Sequence, residues 1–219
     1  YDFSRCDTDI IRSIIDKGEK RDGYMPTFFH GDHASTFISG SWLRGLHDFD
    51  LERAYKLILK NATVPGKGGR RYLDEYMERG WIAEKDTVNV PTWDEYKGAV
   101  TKTQEYAYDD YAVALVAKEL GDEANYKLMM ERSNNYKTLF DPSTGFWRGK
   151  IDDGSWIQDF DPYYPYYQYM YREANAWNAL FFRPPRPRGM IKLYPSKEAV
   201  EAKLDPYSAN RGEVTRPTT

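Results

Sequence analysis

Gln104 to Leu120 is the strongest helical signal in the chain. Tyr108, Tyr111, Ala112, Leu115, Val116 and Leu120 recur at the three- and four-residue spacing that lines one face of a helix. Gly121 stops it, because glycine takes up the left-handed backbone of a helix end without a steric penalty. Asp122 can then cap a second helix that turns Ala124, Leu128, Met129 and Tyr136 inward. Asp141-Pro142-Ser143-Thr144-Gly145 makes a turn, and Phe146-Trp147 continues extended. Helix, glycine, helix and proline turn form a hairpin, and a chain built from such units is constrained to an all-α architecture.

The remaining segments repeat the pattern. Asp9 to Lys17 has isoleucines at 10, 11, 14 and 15, with Gly18 placed to end the helix. Ala34 to Leu46 reads as a hydrophobic helix. Phe49 to Asn61 carries Leu51, Ala54, Tyr55, Ile58 and Leu59 on one face, with Asp48 or Asp50 as its cap. Tyr72 to Met77 is a short helix, Trp81-Ile82 is extended, and Thr92 to Glu95 opens a turn or helix. Ser196 caps a helix from Lys197 to Leu204. Gly23 to Phe29, held by Pro26, and Pro65 to Arg70 are loops. Such hairpins suit a toroid whose inner helices bury one face against each other and whose end loops form a pocket. They also suit a tetratricopeptide solenoid, but its 34-residue repeat is not visible.

At 219 residues the chain can bury one sizeable core. A net charge of -3 disfavours nucleic acid and anionic membranes as partners. No run approaches the roughly 18 apolar residues of a membrane span. The chain begins at Tyr1 and carries no targeting signal, so its start reads as cut. Cys6 is the single cysteine, which rules out an internal disulfide. Asn61-Ala62-Thr63 is a formal glycosylation triplet. Asp152-Asp153-Gly154-Ser155 lacks the spacing of a calcium loop and reads as a turn. His30, His33 and His47 form no zinc pattern.

The chemistry points to sugars. Aromatics are 16% of the chain, with 19 tyrosines, and many cluster in Tyr163-Tyr164-Pro165-Tyr166-Tyr167-Gln168-Tyr169-Met170-Tyr171. Sugar rings stack on such faces. Glu173 follows directly; a carboxyl desolvated among rings has the raised pKa of a general acid, while the plainer reading of the same residue is a glutamate at a helix start, buried by nothing. Asp32 and His33 lie on the loop after Pro26, where they could meet sugar hydroxyls at a pocket mouth. Trp177 could stack on a sugar, or serve the core. Asp109 and Asp110 are expected at solvated or capping positions.

Three blocks in order carry a resemblance: Gly23-Tyr24-Met25-Pro26-Thr27-Phe28-Phe29-His30-Gly31-Asp32-His33-Ala34, then Glu105-Tyr106-Ala107-Tyr108-Asp109-Asp110-Tyr111, then Tyr171-Arg172-Glu173-Ala174-Asn175-Ala176-Trp177. With Asp48-Phe49-Asp50 and Ala54-Tyr55 between them, the chain resembles glycoside hydrolase family 92, the α-mannosidases, from about residue 7 to about residue 205. The resemblance implies part of an (α/α)6 barrel over residues 1–205, incomplete, with 206–219 as a disordered tail. It implies calcium-assisted, inverting hydrolysis of α-linked mannose, α-1,2 foremost, in mannose-containing glycans. Glu173 matches the acid position. Asp32, His33 and Trp177 are the substrate-binding candidates. The family's catalytic aspartates lie in a segment that does not occur before Thr219, and its β-sandwich domain is also missing from the chain. Arg183 to Gly189 departs from the family pattern. The isolated chain is therefore expected to be inactive, and by resemblance its parent is secreted, periplasmic or on the cell surface. A non-catalytic helical module that binds glycans or protein through its tyrosines is the alternative, and a barrel glycosidase of other specificity a third.

Overall fold

Asp50 accepts a hydrogen bond from the backbone N–H of Arg53 at 2.9 Å, and Asp122 accepts one from Asn125 at 3.1 Å. Each starts a helix by satisfying an N–H that a first turn leaves without a partner. The computed structural model describes residues 3–27, 30–85, 96–164, 169–180 and 187–209. In chain order the described helices are α1 (Phe3–Glu19), α2 (His33–Leu43), α3 (Leu51–Thr63), α4 (Leu73–Arg79), α5 (Ala99–Glu119), α6 (Glu123–Arg132), α7 (Ala176–Leu180), α8 (Pro187–Ile191) and α9 (Lys197–Ala209). A 3-10 turn, Asn135–Leu139, leads into an antiparallel hairpin of β1 (Phe140–Asp141) and β2 (Phe146–Trp147), with Phe140 opposite Trp147 and Asp141 opposite Phe146.

The expected helices are present, and several bounds move. α1 runs through Gly18, and the chain turns at Asp22 and Gly23, both with positive φ. Trp81-Ile82 is irregular rather than a strand. α9 extends to Ala209, so four residues of the expected tail are helical. Residues 210–219, the expected start at Thr92–Glu95 and residues 183–186 of the divergent stretch lie outside the described residues.

The larger correction concerns α5. A single apolar stripe presumes one wet side, but α5 is buried nearly all round. Its Val113, Ala114, Val116 and Ala117 join the core of α1, α2, α3 and α6. Val100 and Ala107 join a second core with the hairpin, Tyr169–Tyr171 and α7. Ala99 and Tyr106 join a third with Leu73, Tyr76 and Ile82. Tyr108, expected inward, is exposed, while Asp109 and Asp110 are fully buried. On α6 the buried face is also turned: Met129 is buried, whereas Ala124 and Leu128 face solvent.

Buried carboxylates need partners, and the fold supplies them. Arg70, with no exposed side-chain surface, donates from Nε to Asp32 Oδ2 at 3.1 Å and from Nη1 to Asp110 Oδ1. Tyr76 donates its hydroxyl to Asp110 Oδ2 at 3.0 Å. Arg132 Nε lies 3.0 Å from the same oxygen as an ion pair without hydrogen-bond alignment, while its Nη1 donates to Ala62 O at 2.7 Å. Asn61 donates to Asp32 Oδ1 and exchanges hydrogen bonds with the backbone of Met25. A fully buried Asn61 cannot carry a glycan in the folded chain, which disposes of the formal triplet.

Asp109 behaves differently. Its Oδ2 accepts from Asp32 N at 2.8 Å, and its Oδ1 has no partner among the described residues. Burial pushes its carboxyl well above the ordinary range, against the pull of Arg70. A neutral Asp109 leaves Asp32 and Asp110 balanced by Arg70 and Arg132. Asp109→Asn is therefore expected to change stability by less than about 1 kcal/mol, since a neutral amide keeps the accepting oxygen. Arg70→Ala is expected to destabilise by about 3–5 kcal/mol, because it leaves two buried carboxylates short of their cation. Arg53→Ala, which breaks exposed pairs to Asp16 and Glu19, is expected to leave the unfolding midpoint close to that of wild type. Chemical denaturation of the three variants checks the order.

Candidate active site

Gly98 sits at φ +61 immediately before α5, and a Cβ there would lie 2.5 Å from Arg172 Nε. Only glycine meets both the left-handed backbone and the close approach. The approach lets the segment Tyr169–Glu173 lie across the start of α5. Val100 N donates to Met170 O at 2.9 Å, Arg172 N donates to Thr101 Oγ1 at 3.0 Å, and Arg172 Nη2 donates to Tyr96 O at 3.0 Å. Tyr171 donates its hydroxyl to Trp147 O. Met170 and Glu173 both take positive φ, 55° and 49°. Such backbone is uncommon for residues with a Cβ, and it persists where surrounding contacts fix it.

Glu173 is exposed and precedes α7 by three residues, so it is not helical. Among the described residues of this chain no ring encloses its carboxylate, which corrects the expectation of an acid desolvated by the tyrosine run. Pro165 to Gln168 of that run lie outside the described residues. Burial first, then His33 and Lys102, lower the basicity of His30, with Glu173 a smaller pull the other way. The His30 and His33 rings stand 6.4 Å apart, and His33 Nδ1 lies 4.0 Å from Glu105 Oε2. His33 itself is exposed, as a pocket-mouth position requires. The second block thus meets the first, and Glu173 of the third lies within electrostatic reach of His30.

Glu105 and Lys102 are the residues that sequence reading passed over. The Glu105 side chain is 14% exposed, and burial alone pushes its carboxyl up to about 7. Burial, with Arg172 next, brings the Lys102 ammonium down to about 7. A Cβ on Gly31 would meet Glu105 Cβ at 2.8 Å and Asp109 Oδ2 at 3.0 Å, so the loop carrying His30 and His33 seats directly on α5. The signal was available: Gln104 to Asp110 places Glu105 and Asp109 four residues apart, on one helical face.

Asp32 is placed otherwise than expected. Its carboxylate has no exposed surface and accepts from Ser35 Oγ, Asn61 Nδ2 and Arg70 Nε. It anchors the loop and does not reach a pocket mouth in this chain. Trp177 is likewise taken up by packing, with Phe146 edge-on at 4.9 Å, Tyr163 at 5.7 Å and Lys203 Nζ over its ring at 5.1 Å. Its indole stiffens the hairpin–α7 core instead of offering a free face.

Calcium takes six to eight oxygens. Among the described residues no group of three or more His, Cys, Asp or Glu side chains could hold a metal ion. The residues present do not fit that ion.

Known proteins fit this arrangement. A structure of an α-mannosidase from Bacteroides thetaiotaomicron aligns with a TM-score of 0.80 at 28% identity, over 92% of this chain and 27% of that one. An inverting mannosidase from the same organism aligns with a TM-score of 0.78 at 23% identity, over 93% of this chain and 28% of that one, and this likeness concerns the fold. The helices are thus part of an α/α barrel domain. The glycosyl hydrolase family 92 catalytic domain matches residues 4–216, and the chain belongs to that family. An uncharacterized secreted glycosidase from Arthroderma benhamiae is 26% identical over 205 residues, covering 80% of this chain and 26% of that protein. The chain therefore spans about a quarter of the relatives it matches.

Glu105 titrates in a sensitive range. Its folded value is about 7 against an ordinary 4.5. A raised folded value means the stabilising neutral form is fully present below about pH 4.5 and is lost as pH rises through 7. Relative to wild type, Glu105→Gln is expected to gain about 1–3 kcal/mol of stability between pH 5 and pH 8, read by denaturation at both pH values. An unchanged gap would mean the carboxyl ionises as an ordinary one.

Proposed function

We propose that the chain is part of an inverting α-mannosidase that hydrolyses α-1,2-linked mannose in glycans, with Glu173 as general acid. The observation that supports this is Glu173 standing on a backbone fixed by contacts to α5, within electrostatic reach of His30, whose loop also brings His33 to Glu105. Membership of the family and the mannosidase neighbours support the substrate class. Glu173 gives its proton to the departing glycosidic oxygen. An inverting enzyme places a second carboxylate about 6.5–9.5 Å away, to activate water on the opposite side of the ring. By resemblance to the family, the base is an aspartate of a segment that does not occur in these residues. His33 meets sugar hydroxyls at the rim. Calcium, implied by the family, finds its ligands outside the described residues, and no step derived from these side chains uses it. The remaining barrel and a β-sandwich domain are the intramolecular partners.

We place the parent protein outside the cell or on its surface. The secreted fungal relative supports this.

In the full-length protein that carries this chain, Glu173→Gln is expected to lower kcat on an α-1,2-linked mannose disaccharide by about 10²–10⁴-fold. The first product released is expected to be the β-anomer, read by NMR before mutarotation. The isolated chain of 219 residues is expected to release no mannose. Turnover by that chain overturns the reading of an incomplete site. Mannoside binding without turnover by the full-length protein favours a binding module.

A further inference from the structure

Glu84 is 3% exposed, yet no side chain is bonded to its carboxylate among the described hydrogen bonds and ion pairs; it accepts four backbone N–H groups instead. Lys85 N and Lys97 N donate to Oε1 at 3.2 and 3.0 Å, and Ala99 N and Met170 N donate to Oε2 at 3.1 and 3.3 Å. Ala99 opens α5, where the helix dipole favours an anion. Helix capping alone accounts for the bond to Ala99. It does not account for the bond to Met170, which reaches across 86 positions to the segment that ends at Glu173. Met170 is then held from both sides, because its carbonyl accepts from Val100 and Thr101 at 2.9 and 3.3 Å. Arg172 N is tied to Thr101 one residue before Glu173. The two positive-φ residues of this segment, Met170 and Glu173, each raise the energy of the fold by about 1–3 kcal/mol and need such ties to persist.

We propose that Glu84 is a positioning residue that fixes the backbone carrying Glu173, so that the acid points at the leaving oxygen. This rests on Glu173 being the general acid. Glu84→Gln keeps one accepting oxygen and sets an amide NH2 against two of the four donors, so the segment loosens while the side chain keeps its volume. The test uses the full-length protein and two α-mannosides: the unactivated disaccharide, and a dinitrophenyl glycoside whose leaving group departs without a proton. On the disaccharide, Glu84→Gln is expected to lower kcat by about 10-fold or more with KM within about 2-fold. On the dinitrophenyl glycoside the loss is expected to stay under about 3-fold, because only acid assistance has been impaired. Glu173→Gln, run beside it, should show the same selectivity at larger size.

Equal loss of Glu84→Gln on both substrates, or no loss, with Glu173→Gln selective, overturns the positioning role alone. A Glu173→Gln variant that is unaffected, or equally impaired on both, overturns the acid assignment and the positioning role with it. A wild-type protein that cleaves neither substrate does the same. Should Glu84→Gln not fold, Thr101→Val cuts the neighbouring tie to Arg172 and is read by the same ratio, with absence of selective loss overturning the proposal.

Discussion

Arg70 is the interaction on which the rest depends. Its guanidinium reaches Asp32 at the start of α2 and Asp110 in the middle of α5 at once. Asp32 in turn holds Asn61 of α3 and Ser35 of α2, and its own N–H engages Asp109. Loop, inner helix and two neighbouring helices are therefore registered through one cation with no exposed side-chain surface. Hydrophobic contact is non-directional and could let α5 slide or rotate by part of a turn. A dry ion pair cannot, because any shift leaves a charge unsolvated. The orientation that places Glu105 beneath Gly31 is thus fixed from Asp110, further along the same helix.

That arrangement explains which parts of the fold were legible in sequence. Elements with one wet face announced themselves: α3 was readable from Leu51, Ala54, Tyr55 and Ile58, and its cap from Asp50. α5 announced that it was a helix but not which way it faced. Alanines and valines occur all round it, and its carboxylates at 109 and 110 look solvated to any rule that expects charge outside. For Asp110 the pairing with Arg70 and Arg132, residues distant in sequence, reverses that rule, while Asp109 is buried on a backbone N–H with its carboxyl pushed up. Asp32 misleads in the same way: beside two histidines on a loop, it resembles a ligand contact, and three buried donors make it an anchor instead.

The site was legible through its blocks and not through its energetics. Tyr171 to Trp177 matches the family's acid block, yet the described tyrosines expected to desolvate Glu173 are used elsewhere. Tyr171 is buried against Trp147, Tyr169 donates to Lys85 O, and Tyr163 lies exposed beside Trp177. In a chain that covers about a quarter of its relatives' length, the exposure of Glu173 is that of one wall of a cleft. Desolvation of an acid requires low-dielectric matter on several sides, and this chain supplies one of them.

What this wall contributes is direction. An acid on a long, mobile loop samples many poses, and proton transfer needs one within hydrogen-bond reach of the leaving oxygen. The Tyr169–Glu173 segment has little freedom left: its amides and carbonyls are bonded to the first turn of α5, and Gly98 lets Arg172 lie flat upon that turn. α5 cannot rotate because Arg70 holds Asp110 from below. Strain at Glu173 is thus carried by a helix that is itself locked by buried charge, so the backbone at Glu173 is ordered by contacts within this chain.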